Sequence, residues 1–166
     1  MTSGTDASRR TQPLRSMILP IAIAVAVADQ IAKWAVFVGM RLGEHITVVP
    51  GFFDIRKVLN RGAAWGIFSG QRALLIAVSA AMLALLWHSR REILSAGRVC
   101  RVGVGLLAGG IVGNLVDRVK HGFVIDFLDF HWGETWAFPA FNIADSAIFL
   151  GIALYFLHAL AEHKRS

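Results

Sequence analysis

The sequence predicts an all-α membrane protein: a four-transmembrane-helix bundle with a small extracytoplasmic β-rich cradle and an amphipathic or re-entrant flap. Three observations predict this fold class. Hydrophobic residues make up 55% of the 166 residues, more than one soluble domain of this size needs for its core. Four apolar runs approach the roughly 17–25 residues that cross a membrane as a helix, at residues 17–38, 67–88, 102–120 and 141–161. A β-prone segment at 40–68 separates the first two runs.

The first run follows a polar, basic segment at 1–16, for which we expect a disordered cytoplasmic tail before a single membrane-embedded domain at 17–163. Its Ala26-Val27-Ala28 sequence imitates the cleavage site of an export signal. The apolar residues continue beyond this site, however, and Asp29 and Lys33 stand four residues apart, where they can pair on one helix face. We therefore predict a retained membrane helix.

The other three runs differ in length and in what interrupts them. The second reaches about 20 residues only if it starts near Ile67, upstream of Arg72, whose long side chain can extend to the interface. In the third, Gly105, Gly109 and Gly113 recur every four residues, a stripe that allows a neighbouring helix to approach closely. The fourth run crosses the membrane antiparallel to the third.

The segment at 40–68 differs in composition from the apolar runs. Residues 47–49 and 52–58 are β-prone, and Pro50-Gly51 marks a turn between them, so we expect a hairpin or small sheet outside the cytoplasm. Residues 62–68 combine small and aromatic side chains, which is typical of a flap resting in the membrane interface.

The net charge of +6 follows the predicted topology. Arginines precede the first run and fill the loop after the second, so the positive-inside rule places both termini in the cytoplasm and most acidic residues outside. The basic residues lie in separate loops without aromatic interleaving, which argues against nucleic-acid binding and favours contact with membrane lipids. Cys100 is the single cysteine, so an internal disulfide is excluded and an ordinary reduced thiol is predicted.

Two Asn-x-x-Asp sequences, Asn114–Asp117 and Asn142–Asp145, lie within strongly apolar segments. Arg118 follows the first, and Asp126 lies between the two. Acidic residues at membrane depth are costly, so they usually face a bundle interior or a wet cavity and have a function. Because the third and fourth runs are antiparallel, both sequences should meet near the outer leaflet.

Neighbouring carboxylates point to acid–base chemistry. Two carboxylates held close together share one proton, which is the arrangement of aspartyl proteolysis. Arg118 would suit a clamp on Asp117, which would keep Asp117 ionised and make it a poor member of such a pair. Elimination favours Asp145 with either Asp126 or Asp129, and periodicity does not distinguish these two.

Other chemistries are weaker predictions. No serine has a paired histidine or lysine base, and no His-x-x-x-His spacing predicts a zinc site, so neither a metal nor a cofactor is expected. A small proton-coupled membrane transporter using the same carboxylates is the main alternative. The acids cluster at one membrane face, however, and leave no relay across it. A noncatalytic membrane assembly factor is a third possibility, in which the glycine stripe would serve as a partner interface.

Five segments carry a family resemblance, namely Asp29–Lys33, Asn60–Ala64, Gly109–Arg118, Val124–Phe127 and Phe141–Ser146. They are similar, in order, to the Asp-x-x-x-Lys, Asn-x-Gly-Ala-Ala, Gly-Gly-x-x-Gly-Asn-x-x-Asp-Arg, Val-x-Asp-Phe and Phe-Asn-x-Ala-Asp-Ser patterns of the lipoprotein signal peptidases, or signal peptidase II. One departure is Trp65, where the family more often has Phe.

The resemblance implies an intramembrane aspartyl endopeptidase of the bacterial cytoplasmic (inner) membrane, with its active site near the outer leaflet. Its substrates would be diacylglyceryl-modified prolipoproteins, cut just before the lipidated cysteine, and it would act as a monomer without a cofactor. The resemblance implies Asp126 and Asp145 as the catalytic pair. The residues implied to bind substrate or support the site are Asn60, Asn114, Asp117, Arg118, Asn142, Asp29 and Lys33.

Overall fold

The computed structural model describes residues 17–63, 67–133 and 135–163. The helices in this part of the chain are α1 (Ile18–Gly39), α2 (Arg72–His88), α3 (Arg90–Ser95), α4 (Arg98–Lys120) and α5 (Ile143–His163). By length and composition, α1, α4 and α5 can each cross a membrane. The apolar helix α2 has 17 residues and is shorter than these three. The count of four membrane spans therefore stays a prediction.

The strands are β1 (His45–Val49), β2 (Phe53–Asn60), β3 (Val124–Trp132) and β4 (Trp136–Ala137), and they pair antiparallel in the order 1-2-3-4. The predicted hairpin is confirmed as β1 and β2, and Gly51 has the positive φ of 72° that its turn requires.

The sheet is larger than the sequence predicted, because β3 and β4 come from the segment between α4 and α5. The first four residues of β3 are all buried, on both faces of the strand. This half of the strand therefore lacks the alternation of apolar and polar residues that marks a half-buried strand in a sequence. The predicted β-rich cradle at 40–68 lacks these two strands, and β3 places Asp126 next to β2 in register with Val58.

Glycines allow α4 to contact α1 and α5 at close range. A Cβ atom added at Gly109 would lie 2.7 Å from the Ala22 carbonyl oxygen of α1, and one added at Gly103 would lie 2.9 Å from the Gly151 oxygen of α5. The close approach predicted from the glycine stripe is thus confirmed against α1. The contact with α5 uses a second set of glycines, Gly103, Gly110 and Gly151, which lie outside this stripe. Between them, the two faces make α4 the central helix and bring the C-terminal halves of α1 and α4 to the start of α5.

Side chains tie the sheet and α2 to the ends of the long helices. The Lys57 ammonium of β2 is buried and donates to the carbonyl oxygens of Phe37 and Met40 at the end of α1, the latter at 2.8 Å. Arg72 of α2 donates to the carbonyls of Arg118 and Val119 at the end of α4, at 2.7 Å each. Carbonyls in the last turn of a helix lack the usual donor one turn further on, so these cations add donors there and fix the elements around the site. The Arg118 carbonyl also accepts the Gly122 N–H at 3.2 Å.

The described part of the predicted flap is irregular. Residues 67–70 form a turn, and Ala63 donates its N–H to the Ile67 carbonyl at 2.7 Å. Residues 64–66, which include Trp65, and the predicted tail at 1–16 lie outside the described residues.

Candidate active site

Asn142 and Asp145 hold each other at the start of α5. The Asp145 N–H donates to the Asn142 side-chain oxygen at 2.9 Å, and the Asn142 N–H donates to Asp145 Oδ2 at 3.2 Å. This reciprocal arrangement is a capping box, with Asp in the place of the usual Glu or Gln. It fixes the Asp145 carboxylate at a helix N-terminus, where the backbone dipoles favour negative charge.

Asp126 lies on β3 and receives two amide hydrogen bonds. Asn142 Nδ2 donates to Asp126 Oδ1 at 2.6 Å, and Asn60 Nδ2 of β2 donates to Oδ2 at 2.9 Å. The residue is 1% exposed. Asn142 therefore connects the two aspartates. Its backbone N–H and side-chain oxygen bind Asp145, and its side-chain NH₂ group binds the Asp126 carboxylate. We call this arrangement the Asn142 bridge.

The environment of Asp126 favours its protonated form. Burial raises the pKa of Asp126 to about 7, and the nearby Asp145 carboxylate acts in the same direction. The hydrogen bonds from Asn60 and Asn142, together with the charge of Lys33, oppose this rise in pKa. A proton on Asp126 is thus retained at pH values where an ordinary aspartate is fully ionised.

A second polar cluster lies behind these carboxylates and consists of Asp29, Lys33 and Asp117. The Lys33 ammonium is 2.7 Å from Asp29 Oδ2, which confirms the predicted pairing along α1, and 3.0 Å from Asp117 Oδ2 of α4. It also donates to Asn114 Oδ1 at 2.9 Å. Each of the three charged side chains is almost completely buried.

The predicted clamp of Arg118 on Asp117 is wrong. Asp117 instead pairs with Lys33 and accepts hydrogen bonds from Gln30 at 2.9 Å and from the Ile125 N–H at 3.3 Å. Successive residues of a helix point about 100° apart, so neighbours in the sequence face different surroundings. Gln30 was also missed. Its polar side chain within an apolar run was the available signal.

Arg118 lies on the side of the two catalytic candidates. Its guanidinium donates to the Gly62 carbonyl at 3.0 Å, in the loop that follows Asn60. Its strongest favourable charge interaction is with Asp145, followed by Asp126 and then Asp117. Arg118 therefore links the loop to the carboxylates electrostatically.

A cavity of about 1540 Å³ opens beside this group. Its polar end includes Asn60, Asn114, Arg118, Asp126 and Asp145, and further polar residues such as Arg56, Arg61 and Asp129 also line the cavity. Apolar side chains of α2, α4 and α5 form much of the remaining wall. The volume exceeds the roughly 300–1,000 Å³ of most small-molecule sites. This shape suits a long, largely apolar ligand with one polar group near the carboxylates.

The structure brings the nine predicted site residues together in two adjoining groups. Two of them are the carboxylates Asp126 and Asp145, four surround or connect these carboxylates, and the other three form the Asp29–Lys33–Asp117 cluster. Asp129, the alternative that the sequence left open, also lines the cavity, but its carboxylate lies 3.6 Å from Arg56, and within the described part of the chain it makes no hydrogen bond to Asn142. The geometry thus favours Asp126 over Asp129 as the neighbour of Asp145.

Comparisons with known proteins agree on one family. The model of the family described as signal peptidase (SPase) II matches residues 21–161. The lipoprotein signal peptidase of Symbiobacterium thermophilum is 41% identical, over 87% of this chain and 95% of that protein. The lipoprotein signal peptidase of Neisseria gonorrhoeae is 38% identical, over 88% and 90%.

Solved structures show the same fold. A structure described as a bacterial membrane enzyme superposes with a TM-score of 0.81 and 33% identity, covering 90% of each chain. A second structure with the same description has a TM-score of 0.75 and 34% identity, covering 86% of this chain and 92% of the other. Sequence and fold thus agree over the region that carries both polar groups.

Proposed function

The chain belongs to the signal peptidase II family and removes signal peptides from prolipoproteins, and we propose that it does so as an intramembrane aspartyl endopeptidase whose catalytic pair is Asp126 and Asp145. The observation that carries this proposal is the Asn142 bridge, which binds both carboxylates at the polar end of a large cavity. Family membership disfavours the transporter alternative.

The two carboxylates have different environments and therefore different roles. Asp145 lies at a helix N-terminus, accepts hydrogen bonds from Asn114 at 2.7 Å and from the Asn142 N–H, and faces the charge of Arg118. Two neighbouring carboxylates share one proton. Asp126 is buried, and its raised pKa of about 7 favours the protonated form. Asp145 is thus the general base and Asp126 the general acid.

The reaction follows from these roles. Asp145 takes a proton from water as the water oxygen bonds to the scissile carbonyl carbon, and Asp126 gives its proton to the carbonyl oxygen. When the carbon–nitrogen bond breaks, the proton held by Asp145 passes to the leaving nitrogen. Asp126 recovers a proton from the hydroxyl that becomes the new carboxyl group. The cycle uses one water and restores both residues.

The cavity supports a lipid-bearing substrate. Its apolar wall extends from the carboxylates along α5 as far as Ile152, which is seven residues, or about 10 Å, below Asp145. Diacylglycerol chains on the substrate cysteine would lie against this wall, and the peptide bond just before that cysteine would reach the carboxylates. No metal or cofactor takes part in this proposal, and a single copy of the chain supplies all the residues it uses.

We place the protein in the bacterial cytoplasmic (inner) membrane with four spans and both termini in the cytoplasm. The fourth span would be α2, whose 17 residues measure about 25 Å. This length is close to the roughly 30 Å hydrocarbon core. The site at the end of α4 and the start of α5 then lies near the outer leaflet.

The proposal is tested by cleavage of a diacylglyceryl-modified prolipoprotein with purified protein in detergent. Asp126→Asn and Asp145→Asn should each lower kcat at least about 1,000-fold, because each removes one proton-transfer group. Asp129→Asn should retain most activity, and so should Asp54→Asn, a matched control on β2 whose carboxylate lies 3.4 Å from His131. Thermal unfolding verifies that each variant is folded. Turnover by folded Asp126→Asn or Asp145→Asn protein would refute the assignment.

A further inference from the structure

We propose that Lys33 is a positioning residue: it fixes the orientation of the Asn114 amide so that this amide donates to the catalytic base Asp145 throughout the reaction. The proposal rests on the proposed function, since it takes Asp145 as the base. It assigns a task to a buried cation that does not take part in the proton transfers themselves.

The orientation follows from the chemistry of the donors. A lysine ammonium has three N–H donors and no acceptor, so the Asn114 atom 2.9 Å from Lys33 Nζ must be the amide oxygen. Asn142 Nδ2 donates to the same oxygen at 3.3 Å. The Asn114 NH₂ group therefore points away from Lys33 and donates to Asp145 Oδ1 at 2.7 Å.

This orientation is needed most when Asp145 carries a proton. While Asp145 is ionised, its oxygens accept only, so the carboxylate itself selects the NH₂ end of the amide. After it takes the proton of water, Asp145 can donate, and it no longer distinguishes the two ends. Lys33 keeps its own bond throughout the cycle, because Asp29 and Asp117 bind its ammonium at 2.7 and 3.0 Å. The amide thus remains a donor to Asp145 while this residue passes its proton to the leaving nitrogen.

Other charged groups also act on Asp145. Arg118 approaches from α4 and Asp126 from β3, whereas Lys33 and its partner Asp29 lie on α1 behind Asn114. The effect of Arg118 is direct and does not pass through the amide. A contribution of Lys33 that depends on Asn114 can therefore be separated from the general field of the site.

The first test compares Asp117→Asn with the double variant Lys33→Met/Asp117→Asn. The double variant keeps the net charge of the Asp29–Lys33–Asp117 cluster at −1, as in the parent, so it does not leave two buried carboxylates without a cation. Activity is measured as kcat and KM against pH with a diacylglyceryl-modified peptide in detergent. Relative to Asp117→Asn, the loss of lysine should lower kcat about 10- to 100-fold, as expected for a hydrogen bond to a charged group. KM should change less than about threefold, and the acidic limb of the kcat profile should move upward by about one pH unit.

The second test asks whether Lys33 acts through the amide. All variants of this test carry Asp117→Asn. Asn114→Leu should have the same kcat and the same acidic limb of the pH profile as Lys33→Met. Combining Asn114→Leu with Lys33→Met should lower kcat no further. A further tenfold loss, or an acidic limb that does not move when Lys33 is removed, would overturn the proposal. Failure of the proposed function gives a different result, namely no cleavage by the parent or cleavage by Asp126→Asn.

Folding is checked by thermal unfolding of every variant. If Lys33→Met/Asp117→Asn does not fold, Lys33→Gln/Asp117→Asn replaces it, because a glutamine amide can still donate to Asn114. A folded glutamine variant with the acidic limb of Asp117→Asn supports the positioning role. A shifted limb despite this donor contradicts it. A glutamine variant that also fails to fold would show that Lys33 serves folding instead.

Discussion

A single side chain, Asn142, combines structural and functional tasks. Its oxygen and N–H complete the capping box with Asp145, and its NH₂ group binds Asp126 and Asn114. A capping box stabilises the start of a helix whatever the protein does. Here the same bonds set the position of a carboxylate, so the local rule that starts α5 also assembles the site.

The hydrogen bond from Asn60 to Asp126 yields a prediction about pH dependence. This bond lowers the pKa of Asp126 from the still higher value that burial would give it. Asn60→Leu should therefore raise the pKa of Asp126 above about 7 and move the basic limb of the kcat profile to higher pH, since the general acid keeps its proton longer. The profile is measured on the lipidated peptide, with Asp54→Asn as the control expected to match the parent. A basic limb that moves to lower pH would contradict the role of Asp126 as the acid.

The raised pKa of Asp126 also makes stability depend on pH. The folded pKa is about 7, whereas the unfolded value is about 3.9. Between these two values the folded protein binds the extra proton, so the free energy of unfolding should fall as pH rises through this window and level off above pH 7. Asp126→Asn should remove this slope. Denaturation in detergent at several pH values measures it, and an equal slope in the variant would assign the effect to another group.

At the scale of elements, the glycine faces of α4 determine how closely the helices approach. Apolar side chains give little driving force for association between helices in lipid, so close backbone contact and polar bonds stabilise the bundle. Gly109 lies against the backbone of α1, and Gly110 lies against the Ala144 carbonyl of α5. The polar residues in the C-terminal halves of α1 and α4 meet those at the start of α5 because the neighbouring backbones are in contact.

Gly109→Ala tests this packing. The added methyl group would lie 2.7 Å from the Ala22 oxygen and 2.8 Å from Val25 Cβ, so α1 and α4 must separate. We expect a loss of about 1–3 kcal/mol in the free energy of unfolding, as for other overpacked sites. Gly39→Ala is the matched control, because a Cβ atom there meets nothing within 4 Å. Equal thermal stability of the two variants would contradict the close contact.

At the scale of the whole molecule, the Asp29–Lys33–Asp117 cluster joins elements that are distant in the sequence. Asp29 accepts the Ala144 N–H of α5 at 2.8 Å, and Asp117 accepts the Ile125 N–H of β3 at 3.3 Å. Lys33 binds both carboxylates. One buried cluster therefore holds α1, α4, α5 and the sheet in register.

Removing the cation should destabilise the fold more than removing one anion. Lys33→Met leaves two buried carboxylates without a cation, for which we expect a loss of about 3–5 kcal/mol. Asp117→Asn should lose about 1–3 kcal/mol, because its neighbours Lys33, Gln30 and the Ile125 N–H all donate and the new NH₂ group faces a donor. The double variant should be more stable than Lys33→Met alone. Unfolding in detergent measures the three values, and strictly additive losses would contradict a shared cluster.

The proposed membrane topology can be tested with single cysteines. In a Cys100→Ala background, Thr47→Cys on exposed β1 should react with a membrane-impermeant maleimide applied to spheroplasts. Ser95→Cys at the end of α3 should react only after the membrane is permeabilised, since it lies in the proposed cytoplasmic loop. Labelling of Ser95→Cys in intact spheroplasts would contradict an even number of spans with cytoplasmic termini.

The sequence by itself determined features that depend on local composition and spacing. The lengths of the apolar runs predicted the three long helices, Pro50-Gly51 predicted the hairpin, and the spacing of Asp29 and Lys33 predicted their pairing. The two Asn-x-x-Asp sequences also predicted the region of the candidate site, because polar residues in apolar segments are costly unless they are used.

Only the tertiary structure decided which polar groups meet. It paired Asp117 with Lys33 instead of Arg118, formed β3 from a segment without alternation, and placed Asp126 beside the Asn142 bridge. Each of these outcomes depends on side chains that lie far apart in the sequence. Spacing along a chain fixes which residues share a helix face, whereas the partner on the neighbouring element is set by how closely and in which direction the backbones pack.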